Sequence, residues 1–155
     1  MGYEPGKHTY LAAPFFVPAQ RNLCNWFENV FNRFSLPLYS PRRDGFVLEP
    51  SATNEERDEI FRSNTVAIDT ANWMLAIVDD FDPGVIWEMG YAFAKGVPTL
   101  CYTDVKDRGL NVMLAGSASL GFIDTRPRMR DLLSRMDSPG PANPFPMNTW
   151  RGRIQ

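Results

Sequence analysis

The residue pattern predicts an α/β fold with a parallel sheet of five strands, covered by helices on both faces. Three observations carry this expectation. Short apolar runs alternate with amphipathic stretches along the chain. The third run, residues 73–78 (W-M-L-A-I-V), is apolar throughout, as a strand buried on both faces must be. Polar and turn-forming residues gather just after these runs, where ligands of open α/β sheets bind.

Residues 8–13 read as the first strand, followed at its carboxyl end by the rigid apolar loop 14–18. Residues 19–34 are helical, with Leu23, Trp26, Phe27, Val30, Phe31 and Phe34 at spacings of three and four. A short second strand at 36–40 leads into a polar turn at 41–45 and an extended loop at 46–53. Residues 54–71 form a helix capped by Asn54, with Glu55 and Glu56 close behind. Its inward stripe of Ile60, Asn64, Ala67, Ile68 and Ala71 has one polar member. Asn64 is either a buried amide bonded to backbone or a ligand contact.

The third strand, 73–78, is followed by Asp79 and Asp80 and by a helix from about Val85 to Gly96. A fourth strand at 97–103, a charged loop at 104–109 and a short helix at 111–115 come next. A fifth strand at 120–123 and an amphipathic helix at 126–136 complete the alternation. Residues 138–155, rich in Pro and Asn, are expected to be an arm that needs a surface to lie on.

At 155 residues the chain suits one domain spanning 1–155, with 44% hydrophobic and 22% charged residues. A net charge of −2, with no basic run longer than Arg42-Arg43, argues against a nucleic-acid polymer as partner. The longest apolar run, six residues, is far short of the ~20 that span a bilayer. The first residues lack the basic-then-apolar order of a signal peptide. Cys24 and Cys101 read as core thiols of a cytoplasmic protein. His8 is the only histidine, which argues against His-based metal sites and Ser-His-Asp triads.

The chemistry is expected in residues 82–96, D-P-G-V-I-W-E-M-G-Y-A-F-A-K-G. Pro83 and Gly84 shape the turn, which puts Glu88 in or just after the first helical turn, where the dipole favours an ionised carboxylate. An acid in that position is ordinarily a solvated helix-start residue. Here Trp87 and Met89 flank it and no basic residue lies within four positions. Keeping a carboxylate unpaired in apolar surroundings is costly and calls for a reason. Neither a G-x-G-x-x-G nor a G-x-x-x-x-G-K-[ST] motif is present, so dinucleotide and P-loop readings lose their main support.

Residues 82–96, the following V-P-T-L-C-Y-T-D and the later L-N-V-M resemble the nucleoside 2'-deoxyribosyltransferase family. The opening T-Y-L-A-A-P-F-F and the Y-S-P-R-R-D-G turn fit the same family, and the likeness runs from about Tyr10 to Met113. The resemblance implies a flavodoxin-like domain, and oligomers built from dimers, commonly hexamers, whose sites are completed by a neighbouring subunit. It implies 2'-deoxynucleosides and free nucleobases as substrates, with no metal or redox cofactor.

Carried over by resemblance, Glu88 matches the nucleophile and Tyr10 the tyrosine that orients it. Asp82 matches the acid that holds the sugar 5'-hydroxyl, and Asn111, with Met113 beside it, the asparagine donated by the neighbour. Phe16 matches an aromatic wall for the base. Asn64 departs from the family's aspartate near the leaving base: it can hydrogen-bond a base but not protonate it. Asp44 is then the expected proton donor, and Arg43 and Asp44 are candidate readers of the base edge. The tail also lacks the family's terminal tyrosine.

A carboxylate beneath C1' stabilises an oxocarbenium-like state and closes a covalent intermediate. The transferase reading comes first. A related N-glycosidase that passes the sugar to water is the alternative. A non-catalytic nucleoside-sensing domain is a third reading, and it leaves Glu88, Asn111 and Met113 unexplained.

Overall fold

A computed structural model describes residues 6–45, 48–136 and 143–147 of the chain. Among these residues, five strands form one parallel sheet in the order β2-β1-β3-β4-β5. The strands are β1 (Thr9–Ala12), β2 (Leu38–Tyr39), β3 (Trp73–Ile77), β4 (Thr99–Tyr102) and β5 (Gly121–Ile123). The helices are α1 (Pro18–Arg33), α2 (Pro41–Asp44), α3 (Asn54–Asp69), α4 (Pro83–Ala94), α5 (Val112–Ser117) and α6 (Arg126–Met136). This is the flavodoxin-like order, in which the chain reverses direction across the sheet between β1 and β3.

Because side chains alternate along a strand, the two faces of the sheet seed two separate cores. Leu11, Leu75, Ile77, Leu100 and Tyr102 pack under α1 and α6, against Phe27, Phe31, Leu132 and Leu133. Tyr10, Ala12, Met74, Ala76 and Cys101 pack under α3 and α4, against Ala67, Ile68, Met89 and Ala92. β3 is buried at all five positions, which explains its unbroken apolar sequence. Cys24 and Cys101 are free and buried, as expected of core thiols.

Several boundaries differ from the sequence expectation, each for a local reason. α4 starts at Pro83, not near Val85, because proline is well suited to the first helical position. Glu88 therefore lies in the second turn, beyond the strongest pull of the dipole, and Asp82 occupies the cap. Residues 41–45, expected as a polar turn, contain the one-turn helix α2. It forms because Pro41 begins it and the Asp44 carboxylate reaches back to the Ser40 N–H at 2.9 Å. α3 is capped by Thr53 rather than Asn54: Thr53 accepts from the Glu56 N–H, and Glu56 returns the bond to the Thr53 N–H at 2.7 Å. β2 keeps only two of its five expected residues.

The expected extended loop at 46–53 includes residues 46 and 47, which lie outside the described residues, as does most of the expected arm. The described part of that arm, 143–147, lies against the sheet. Phe145 meets Trp73 edge-on at 5.1 Å, and the Met147 N–H donates to the Leu120 carbonyl at 2.9 Å. Gly121 has φ +102°, and a Cβ there would lie 2.8 Å from Pro146, so glycine is required where this segment crosses. No helix among the described residues is long and apolar enough to cross a membrane.

Candidate active site

The reversal between β1 and β3 places β1 beside the strand that leads into α4. Tyr10 of β1 is fully buried, and its hydroxyl donates to Glu88 Oε1 at 2.7 Å. The pair joins residues 78 apart in sequence. Glu88 itself is half-buried, with Oε1 committed to Tyr10.

Burial is the main cause that raises the Glu88 carboxyl from 4.5 to about 7, opposed by the Tyr10 hydrogen bond and reinforced by the negative charge of Asp82. Tyr10 is pushed well above 10 by burial first and then by the charge of Glu88. It therefore stays protonated and remains a donor. Near pH 7 Glu88 is divided between carboxyl and carboxylate, and its ionised form accepts the Tyr10 hydrogen bond with no cationic partner among the described residues. Such a group is poised to attack or to stabilise positive charge.

Asp82 caps α4, accepting from the Val85 N–H at 3.1 Å through Oδ2. Just before it, Phe81 adopts φ +48°, a left-handed conformation that is costly for a bulky residue. Arg108 holds that residue down: its guanidinium lies 4.8 Å over the Phe81 ring and also donates to the Asp79 carbonyl. The loop after β4 thus clamps the loop that carries Asp82.

Asn64 lies on the sheet side of α3 and accepts from the Tyr39 hydroxyl at 3.3 Å, so its amide is bonded to a side chain rather than to backbone. Phe16 is 69% exposed and stacks on Phe15 at 5.3 Å. Arg43 and Asp44 are tied to each other at 2.6 Å and to β2 and its end, Arg43 through the Leu38 carbonyl and Asp44 through Ser40. Both Asp44 oxygens are thus engaged in holding α2. Asn111 caps α5 by accepting from the Met113 N–H at 2.8 Å, and Met113 is 76% exposed. Neither residue makes a hydrogen bond to Glu88 or Tyr10 within the chain.

Sequence reasoning missed Tyr39, Ser63, Phe81 and Arg108. Tyr39 is the register partner of Tyr10, and their rings stack at 5.6 Å and 16°. The only signal for it was an aromatic residue at the end of a strand, just before a Ser-Pro turn. Among the described residues, no group of three or more His, Cys, Asp or Glu side chains is arranged to hold a metal ion.

A half-buried carboxylate bonded to a tyrosine thus lies at the reversal point of a flavodoxin-like sheet, where such sheets bind small ligands. Residues 9–119 match the family model described as nucleoside 2-deoxyribosyltransferase. The chain belongs to that family. It is similar to the structure of a 2-deoxyribosyltransferase from the psychrotolerant bacterium Bacillus psychrosaccharolyticus, at 26% identity and a TM-score of 0.68, over 76% of this chain and 86% of that one. A structure of a conserved protein from Enterococcus faecalis V583 shares the fold at 20% identity and a TM-score of 0.71, over 84% and 98% of the two chains. No curated protein matches the sequence.

Proposed function

We propose that this protein is a nucleoside 2'-deoxyribosyltransferase that moves 2-deoxyribose between bases through a covalent deoxyribosyl ester on Glu88. The observation that carries this reading is the Tyr10–Glu88 bond of 2.7 Å on a carboxylate raised to about 7, within the residues that match the family. In the first step the free Glu88 oxygen attacks C1' from the face opposite the base. The C1'–N bond breaks and its electron pair leaves with the base. In the second step a nitrogen of the incoming base attacks C1', the ester bond breaks and Glu88 is restored as a carboxylate. Two inversions give net retention. Tyr10 keeps Glu88 aimed and, as a donor, supports its negative charge before attack.

Asp82 accepts from the sugar 5'-hydroxyl through the oxygen that Val85 leaves unused. Asn64 meets the base, Phe16 forms one wall, and Arg43 and Asp44 border the base end. Asn111 and Met113 are supplied to the site by a neighbouring copy, so the working form is a dimer-based oligomer, up to a hexamer. The exposure of Met113 and Val112 on α5 supports this assembly. The reaction draws on no cofactor, and the setting is cytoplasmic nucleoside salvage.

The test is incubation of the protein with a 2'-deoxynucleoside, with and without a second free base, followed by chromatography. The exchanged nucleoside should form only when the second base is present, and faster than free sugar is released. Free 2-deoxyribose formed at equal rates in both tubes would make the protein an N-glycosidase. No consumption of any deoxynucleoside would remove the enzyme reading.

A further inference from the structure

We propose that Tyr39 is the positioning residue for both halves of this site, its ring setting the angle of Tyr10 and its hydroxyl setting the orientation of the Asn64 amide. The inference rests on the transferase reading for its substrates, but its geometry is independent of it. β2 is a two-residue strand on the edge of the sheet, yet it holds a tyrosine that is only 3% exposed. Its ring stacks on the Tyr10 ring at 5.6 Å and 16° because the two residues are register partners on neighbouring parallel strands. With Tyr10 fully buried and stacked on that ring, Tyr39 limits its swing away from Glu88. A buried ring pair of this kind is fixed by packing, and the hydrogen bond at its tip inherits the precision.

The hydroxyl does a second job. It lies 3.1 Å from Ser63 Oγ and 3.3 Å from Asn64 Oδ1, bridging consecutive residues of α3. A phenol has one proton to give. With that proton on Asn64 Oδ1, the Tyr39 oxygen accepts from the Ser63 hydroxyl, and the three groups form one directed chain. An unanchored amide turns over at little cost, since its oxygen and nitrogen are nearly the same size. The Tyr39 bond removes that freedom. The Asn64 oxygen is then held toward Tyr39, which leaves Nδ2 as the other arm of the amide. What this orientation turns toward a ligand is the N–H side of the amide. The complementary ligand edge is an acceptor, a ring nitrogen or carbonyl oxygen of a heterocyclic base. The contact stabilises charge on a departing base by hydrogen bonding, without proton transfer.

Two substitutions separate the two roles. Tyr39→Phe keeps the ring and removes the hydroxyl. It should raise KM for the accepting base about fivefold, the worth of one modest hydrogen bond, and change kcat less than twofold. In an Asn64→Ala background the same substitution should have no further effect. Tyr39→Leu also removes the stack, loosens the Tyr10 bond that lowers the Glu88 pKa, and so should raise the Glu88 titration midpoint by roughly half a pH unit. That midpoint is read by carbon-13 NMR of the glutamate side chain, with Tyr10→Phe as the reference for complete loss of the bond. The titratable groups that act on Glu88 are Tyr10 from β1 and Asp82 at the start of α4; Tyr39 from β2 acts on Tyr10, and α3 contributes the uncharged Ser63 and Asn64 beside Tyr39. Should Tyr39→Leu fail to fold, Tyr39→Met fills the space and is read the same way.

A wild-type midpoint in the folded Leu or Met variant overturns the ring role. A Tyr39→Phe enzyme with unchanged base KM, or one equally impaired in the Asn64→Ala background, overturns the hydroxyl role. Failure of the transferase reading appears separately, as a wild-type protein that exchanges no base while its Glu88 midpoint still responds to Tyr39.

Discussion

Burial raises Glu88 from 4.5 to about 7, so between those values the folded chain holds a proton that the unfolded chain has released. The sign follows directly. Folding is undisturbed by Glu88 below about pH 4, loses stability as pH rises from 4.5 to 7, and bears the full cost above 7. That cost is at most about 3–4 kcal/mol, from a rise of 2.5 pH units at roughly 1.4 kcal/mol each. Glu88→Gln removes the charge and keeps an oxygen for the Tyr10 hydroxyl. Urea unfolding should find this variant about 1–3 kcal/mol more stable than the wild type at pH 8, with the difference gone near pH 4. Equal stability at both pH values would mean that Glu88 titrates as an ordinary surface acid. At this scale the sequence was informative, because a glutamate among Trp87, Met89 and Tyr91 with no nearby base is anomalous. Its dipole-based rationale was not right, since α4 begins early enough to put Glu88 in the second turn. Tyr39 was illegible, because its importance lies in a neighbour on another strand.

Asp82 belongs to the scale of an element, as it starts α4 and also faces the sugar end of the proposed site. The two roles can be separated because Asn caps a helix about as well as Asp does. Asp82→Asn should change stability by less than about 0.5 kcal/mol, whereas Asp82→Ala should cost about 1 kcal/mol through loss of the Val85 contact. Both should weaken 2'-deoxynucleosides relative to their 5'-deoxy analogues, as judged by KM. Equal effects on both substrate types would leave Asp82 as a cap alone. Long elements such as α1 and α3 were legible to within two residues, since their apolar periodicity runs over four turns. Short ones were not. α2 reads as a turn because Pro, Asp and Gly favour one, and the helical turn rests on tertiary and capping bonds to Ser40 and Leu38.

For the molecule as a whole, the alternation of elements predicted a parallel α/β sheet, but alternation does not specify strand order. The order β2-β1-β3-β4-β5 was expected only from the family likeness, and it is what makes Tyr10, Tyr39 and Glu88 neighbours. Assembly is the next property at this scale. Trp87, Phe93, Val112 and Met113 are 48–76% exposed on α4 and α5, an apolar surface suited to a second copy. Light scattering should show an oligomer, and Met113→Asp should dissociate it and abolish transfer together; an active monomer would contradict the shared site. The central claim is the covalent bond to Glu88. Its most direct test is intact-protein mass spectrometry after brief exposure to a 2'-deoxynucleoside without any acceptor base, followed by peptide mapping. The result expected is a mass increase of one deoxyribosyl group, confined to the peptide containing Glu88, lost on adding a free base and absent from Glu88→Gln. An enzyme that exchanges bases at full rate in the Glu88→Gln form, or that carries the sugar on another residue, would contradict the account.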